Sequence, residues 1–114
     1  MTGWIGVDLD GTLAHYDGWV GPTDIGIPIP PMVNRVKDWI AAGRTVKIFT
    51  ARIHDSENKG AIIAAIEEWC FIHIGDVLEI TNVKDLYMIE LWDDRCVQVE
   101  QNTGIPVGTS TRDL

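Results

Sequence analysis

The chain has 114 residues, the length of a single domain that buries roughly two-thirds of its unfolded surface on folding. Hydrophobic residues make up 46% of it and charged residues 23%, enough apolar material for an ordinary core, which excludes disordered, collagen-like and fibrous classes. Seventeen acidic against nine basic residues leave a net charge of −8, a balance that argues against a broad basic face for duplex nucleic acid or anionic lipid.

Trp4-Ile5-Gly6-Val7-Asp8-Leu9 is a mostly apolar run without alternation, the pattern of a strand buried on both faces, and it stops at the turn signal Asp10-Gly11. Residues 14–30 hold three of the five prolines and several glycines and read as a structured flap. Pro30-Pro31 opens a helix, since proline fits a first turn whose N–H groups need no partner. Met32, Val33, Val36, Trp39 and Ile40 share one face of that helix, and Gly43 ends it as a left-handed cap. Thr45–Thr50 is a second strand, β-branched and aromatic. A second helix is expected from about Asn58 to His73, striped with Ile62, Ile66, Trp69 and Cys70. Val77–Thr81, Tyr87–Trp92 and Cys96–Glu100 read as the third, fourth and fifth strands.

Strands alternating with helices of this length predict an α/β fold. It is expected to be a three-layer, doubly wound, mostly parallel sheet of about five strands. The core is expected over 1–101, with a loose Gly/Thr/Ser/Pro-rich tail over 102–114. No basic stretch precedes a long apolar run at the N-terminus, and no window approaches a membrane span. Cys70 and Cys96 lack metal or redox spacing and read as buried free thiols. Together these features predict a cytoplasmic protein.

Ligands of parallel sheets bind beyond the carboxyl ends of the strands. Those ends carry Asp8-Leu9-Asp10-Gly11-Thr12, Thr50-Ala51-Arg52, Thr81-Asn82-Val83-Lys84 and Asp93-Asp94-Arg95. Four carboxylates gathered there would repel one another unless a cation or protons relieve them. A hard divalent ion such as Mg²⁺, held by oxygens and completed by water and a phosphate, is the economical answer. Thr50 and Lys84 add a hydroxyl and a charge suited to phosphate oxygens.

These ends, in this order, resemble the four motifs of the haloacid dehalogenase-like phosphohydrolases: a DxDGT box, a Ser/Thr closing the second strand, a Lys, and a terminal acidic pair. The resemblance covers about the first hundred residues and implies a magnesium-dependent phosphomonoester hydrolase. Asp8 would be the nucleophile that forms an aspartyl-phosphate, and Asp10 the general acid and then base. Thr50 would hold the phosphoryl oxygens and Lys84, with Lys59 as rival, would offset their charge. Asp8, Asp93, Asp94 and the Asp10 backbone carbonyl would bind the metal. The cap domains of many relatives are missing; only the 14–30 flap stands over the site, as in small uncharacterised bacterial and phage relatives.

Thr12, Arg52 and His15 are candidate substrate-binding residues, although Arg52 can equally pair with nearby acids. His15, Tyr16 and Trp19 either pack a base, ring or peptide over the site or pack the flap against itself. The expected partner is a phosphorylated small molecule or the phosphorylated end of a larger one, with a homo-oligomer covering the open edge among the arrangements the sequence allows. The competing reading is a receiver-like or catalytically silent phosphoryl-binding domain. Receivers, however, place their acidic pair first and their lone acceptor Asp mid-chain, the reverse of the order here.

Overall fold

The computed structural model describes residues 3–108. Its elements run β1 (Trp4–Val7), α1 (Pro30–Ala41), β2 (Thr45–Phe49), a single 3₁₀ turn (Ala51–His54), α2 (Lys59–His73), β3 (Glu79–Thr81) and β4 (Met88–Trp92). The four strands form one sheet in the order β3-β2-β1-β4, and every pairing is parallel. Ile5 therefore lies beside Val46 and Val7 beside Ile48, while Val7 meets Trp92 on the other side. All four strands end at one edge of the sheet.

The core forms on one face. Ile5, Val7, Val46 and Ile48 project from alternate positions of β1 and β2 into a single cluster with Met32, Val33 and Val36 of α1 and Ile62, Ile66, Trp69 and Cys70 of α2. The helical stripes expected from 3.6-residue spacing are thus the observed contacts, with Trp39 and Ile40 packed at the margin. Trp39 meets Trp92 of β4 edge-on, ring centroids 5.2 Å apart. After α1, Gly43 takes a φ of +81°, and the Arg44 N–H returns to the Trp39 carbonyl at 2.9 Å, so the chain reverses directly into β2.

Three expectations change. First, both helices lie on the same face, so the fold has two layers among the described residues rather than three. The β3-to-β4 connection is only residues 82–87, too short for a crossover helix, and it runs extended past the second face. There Trp4 is held by its indole N–H donating to Asp85 Oδ1 at 2.8 Å and by the Lys47 ammonium 4.6 Å above its ring. Lys47 in turn pairs with Glu79 at 2.9 Å. Second, Cys96–Glu100 adds no fifth strand. It folds back on itself through a Val99–Pro106 bridge, with the Glu100 N–H on the Ile105 carbonyl at 2.8 Å. The expected core–tail boundary at 101/102 therefore falls inside a local hairpin, and residues 109–114 of the tail lie outside the described residues. Third, Cys96 is exposed; Cys70 is buried as expected, and that burial pushes its thiol up to about 12. Among the described residues no helix is long and apolar enough to cross a membrane.

Ile66 is fully buried between helix and sheet, whereas Leu86 on the crossover is 97% exposed. Ile66→Ala is expected to cost about 2–5 kcal/mol of unfolding free energy in urea titrations. Leu86→Ser should stay within about 0.5 kcal/mol of the parent.

Candidate active site

The turn after β1 builds the centre of the site. The Leu9 carbonyl accepts the N–H groups of Leu13 and Ala14 at 3.0 and 2.8 Å, and the Gly11 N–H closes on the Ala14 carbonyl at 2.8 Å. Gly11 has a φ of +88°, and a Cβ there would meet Asp94 Oδ2 at 2.5 Å, so only glycine admits the acidic pair this close. The Thr12 hydroxyl donates toward Asp94 Oδ1 at 3.2 Å or Asp8 Oδ2 at 3.4 Å, and accepts the Asp94 N–H at 3.0 Å. Thr12 thereby ties the ends of β1 and β4 together. The Asp8 N–H, on the carbonyl of Trp92 at the end of β4 at 2.9 Å, extends the ladder one residue beyond β1.

Asp8, Asp93 and Asp94 present carboxylate oxygens that all lie within 4.8 Å of one another. Asp8 is half-buried, and its carboxyl is pushed up to about 8. Burial is the main cause; a hydrogen bond with Asp94 and the charges of Asp93, Asp94 and Asp10 add to it. The donor set is all hard oxygen, which fits a small divalent cation shared by these three residues.

Asp10 does not join that cluster. Its carboxylate forms a two-pronged pair with Arg52: Nε to Oδ2 and Nη2 to Oδ1, both at 2.8 Å. Arg52 also donates to the carbonyls of Gly21, Pro22 and Asp24 at 3.1, 2.8 and 2.7 Å. Those five bonds use every guanidinium N–H, and the side chain is only 4% exposed. Of the two sequence readings of Arg52, pairing with an acid is the one observed. Thr50 sets Arg52 in place: it is 2% exposed, caps the 3₁₀ turn, and accepts the Arg52 N–H on its hydroxyl at 3.2 Å.

An open groove of about 860 Å³ joins these parts, lined by Asp8, Asp10, Thr50, Arg52, Asp93 and Asp94 together with Tyr16 and Trp19 of the flap. His54, Asp55 and Asn82 also line it; their only signal in the sequence was their place just past the ends of β2 and β3. His15 lies elsewhere. It lines a second cavity of about 460 Å³ under the flap and sits 3.6 Å from Asp17, away from Asp8. Lys84 is exposed on the crossover and Lys59 is exposed at the start of α2; neither lines the groove.

No family model matches the chain, and no curated protein or solved structure is similar to it, so the chemistry of the site has to speak for itself. Asp8 holds a proton in the folded state that it releases near pH 4 when unfolded. The contribution of Asp8 to folding stability is therefore full below the ordinary value of 3.8 and is lost as pH rises toward about 8. Without divalent cation, the melting temperature should fall over that range, and Asp8→Asn should flatten the fall. Added Mg²⁺ should raise the wild-type melting temperature most at the alkaline end. Separately, Arg52→Ala strips the partners from Asp10 and three carbonyls. It should cost about 2–4 kcal/mol, less than a fully buried pair because Asp10 keeps some solvent, and should speed amide exchange across residues 21–27.

Proposed function

We propose that this chain is a magnesium-dependent phosphomonoester hydrolase that works through an aspartyl-phosphate on Asp8, in the manner of the haloacid dehalogenase-like enzymes its motifs resemble. The observation that carries the reading is the meeting of Asp8, Asp93 and Asp94 within 4.8 Å at the carboxyl edge of a parallel sheet, beside the buried Thr50. Asp8, Asp93 and Asp94 would hold the cation. When bound, Mg²⁺ supplies charge neutralisation for the phosphoryl oxygens and keeps Asp8 ionised at neutral pH.

The chain's own groups then divide the work. Asp8 attacks phosphorus in line with the leaving oxygen, which departs as the P–O ester bond breaks. The Thr50 hydroxyl accepts from the Arg52 N–H, which leaves its proton to donate to a phosphoryl oxygen and hold the group against the β2 end. Both oxygens of Asp10 accept N–H groups in the resting pair, so Asp10 would first swing off and take a proton from water, then give that proton to the leaving oxygen. The carboxylate so formed would be the base for the water that hydrolyses the acyl-phosphate. The flap wall carrying Tyr16 and Trp19 shields the groove from one side.

One observation favours a second reading. With Asp10 engaged by Arg52 and Lys84 outside the groove, the site can accept or bind a phosphoryl group without turning it over. The two readings part on stoichiometry. Purified protein with Mg²⁺ should release many equivalents of p-nitrophenol per chain from p-nitrophenyl phosphate, and chelation should abolish the activity. Asp8→Asn should lose roughly a thousandfold or more in kcat. Acid-quenched wild type should carry a phosphoryl group labile to hydroxylamine. A single equivalent of product with a persistent phosphoprotein would select the non-turnover reading.

A further inference from the structure

Trp19 is 59% exposed and Tyr16 47% exposed, yet both line the groove that contains Asp8. Here the ring position is built. The Arg52 guanidinium carbon lies 5.1 Å from the Trp19 ring centroid, and that guanidinium is itself immobilised by five hydrogen bonds. One face of the indole rests on a fixed cation, an arrangement favoured by the ring quadrupole. The ring is thereby oriented without being buried. It stands two contacts from the Asp10 carboxylate, 5.1 Å to the guanidinium carbon and 2.8 Å onward from Nε to Oδ2.

We propose that Trp19, seated on Arg52, is a stacking platform for the base of a mononucleotide whose phosphate sits at Asp8. This substrate class rests on the phosphomonoesterase reading of the same site. Three observations select a nucleotide among phosphate esters. The groove, at about 860 Å³, has room for sugar and base beyond the phosphate. Its aromatic wall holds a planar base by π-stacking more strongly than it holds the C–H face of a sugar. Its rim holds Asn82, His54 and Asp55, polar groups that can pair with the edges of a base and have no counterpart on a plain phenyl ring. The net charge of −8 disfavours a long polyanion, so the ligand is a free mononucleotide rather than the end of a strand.

The test compares adenosine 5′-monophosphate, ribose 5-phosphate and a 5′-phosphorylated oligonucleotide with Mg²⁺ present. The first two share the ester and the sugar and differ only in the base. The mononucleotide should exceed ribose 5-phosphate on the order of tenfold in kcat/KM, the difference lying in KM. Trp19→Leu, which keeps apolar bulk without a π-face, should erase that ratio, read by dividing the variant's own two kcat/KM values; Trp19→Phe should keep most of it. Equal efficiency of the first two substrates on the parent, or a ratio that survives Trp19→Leu, overturns the proposal. So does a preference for the oligonucleotide. Calorimetric binding of the same two small ligands to Asp8→Asn reads the stacking without turnover. Tighter mononucleotide binding that is lost with Trp19→Leu upholds it even if no ester is hydrolysed, a result that would sink only the hydrolase reading. Equal binding of both ligands overturns the platform itself.

Discussion

The site depends on one guanidinium. Arg52 reaches from the end of β2 to the turn after β1 and to three carbonyls of one flap segment, and no N–H of its fork is left over. A buried cation with a single unpaired donor would be a liability of several kcal/mol; fully satisfied, it becomes a rigid joint. The flap has other anchors. The His15 N–H is on the Ile27 carbonyl and the Ile29 N–H on the Leu13 carbonyl at the base of the loop, and the Trp69 indole donates to the Gly26 carbonyl at 2.9 Å. Those fix its two legs. Arg52 ties the 21–24 segment to the carboxyl edge of the sheet and carries the indole of Trp19. The groove wall and the withdrawal of Asp10 from its neighbouring acids are two consequences of the same pairing.

That withdrawal sorts four carboxylates into two environments. Asp10 is paired with the Arg52 guanidinium, which leaves Asp8, Asp93 and Asp94 as the three carboxylates that face one another. Thr12 binds two of them and keeps them close despite their repulsion. Folding energy from the core is spent holding this arrangement, which is why a ligand that supplies positive charge should be felt as stability as well as activity. Two carboxyls two residues apart on one turn thus acquire different characters by environment alone, the condition under which one can attack and the other can move protons.

Much of this was legible in the residues. The helices announced themselves because a 3.6-residue stripe is a local property: Ile62, Ile66, Trp69 and Cys70 are buried as spaced. The strand ends were legible because an apolar run that halts on Asp or Thr marks where a buried strand meets solvent. Layering was not, although a signal existed. Six residues between β3 and β4 cannot hold a helix, and a parallel crossover that short must lie flat on the sheet. The Val-Gln-Val-Glu alternation at 97–100 suits a fifth strand and a self-paired hairpin equally well, and the turn at Asn102, with its φ of +68°, decides for the hairpin. The Arg52 joint was beyond reach because its partners lie 28 to 42 residues away and three of them are backbone carbonyls, which no residue type reveals.

If the site works as proposed, the same geometry would let an open edge discriminate without a cap. A cap selects substrate by closing over it, which costs the ordering of a mobile domain. The selecting surface here would be an aromatic ring that already rests on a cation, so little conformational freedom would remain to be lost when a ligand arrives. Recognition of the phosphate and recognition of the leaving group are also separated. On the proposed reading, the acidic cluster and Thr50 would handle the first at the ends of β1, β2 and β4, and Tyr16 and Trp19 the second from the flap. Arg52 touches both groups, through Asp10 and through the Trp19 ring, so a change at this residue should disturb selectivity and proton transfer together.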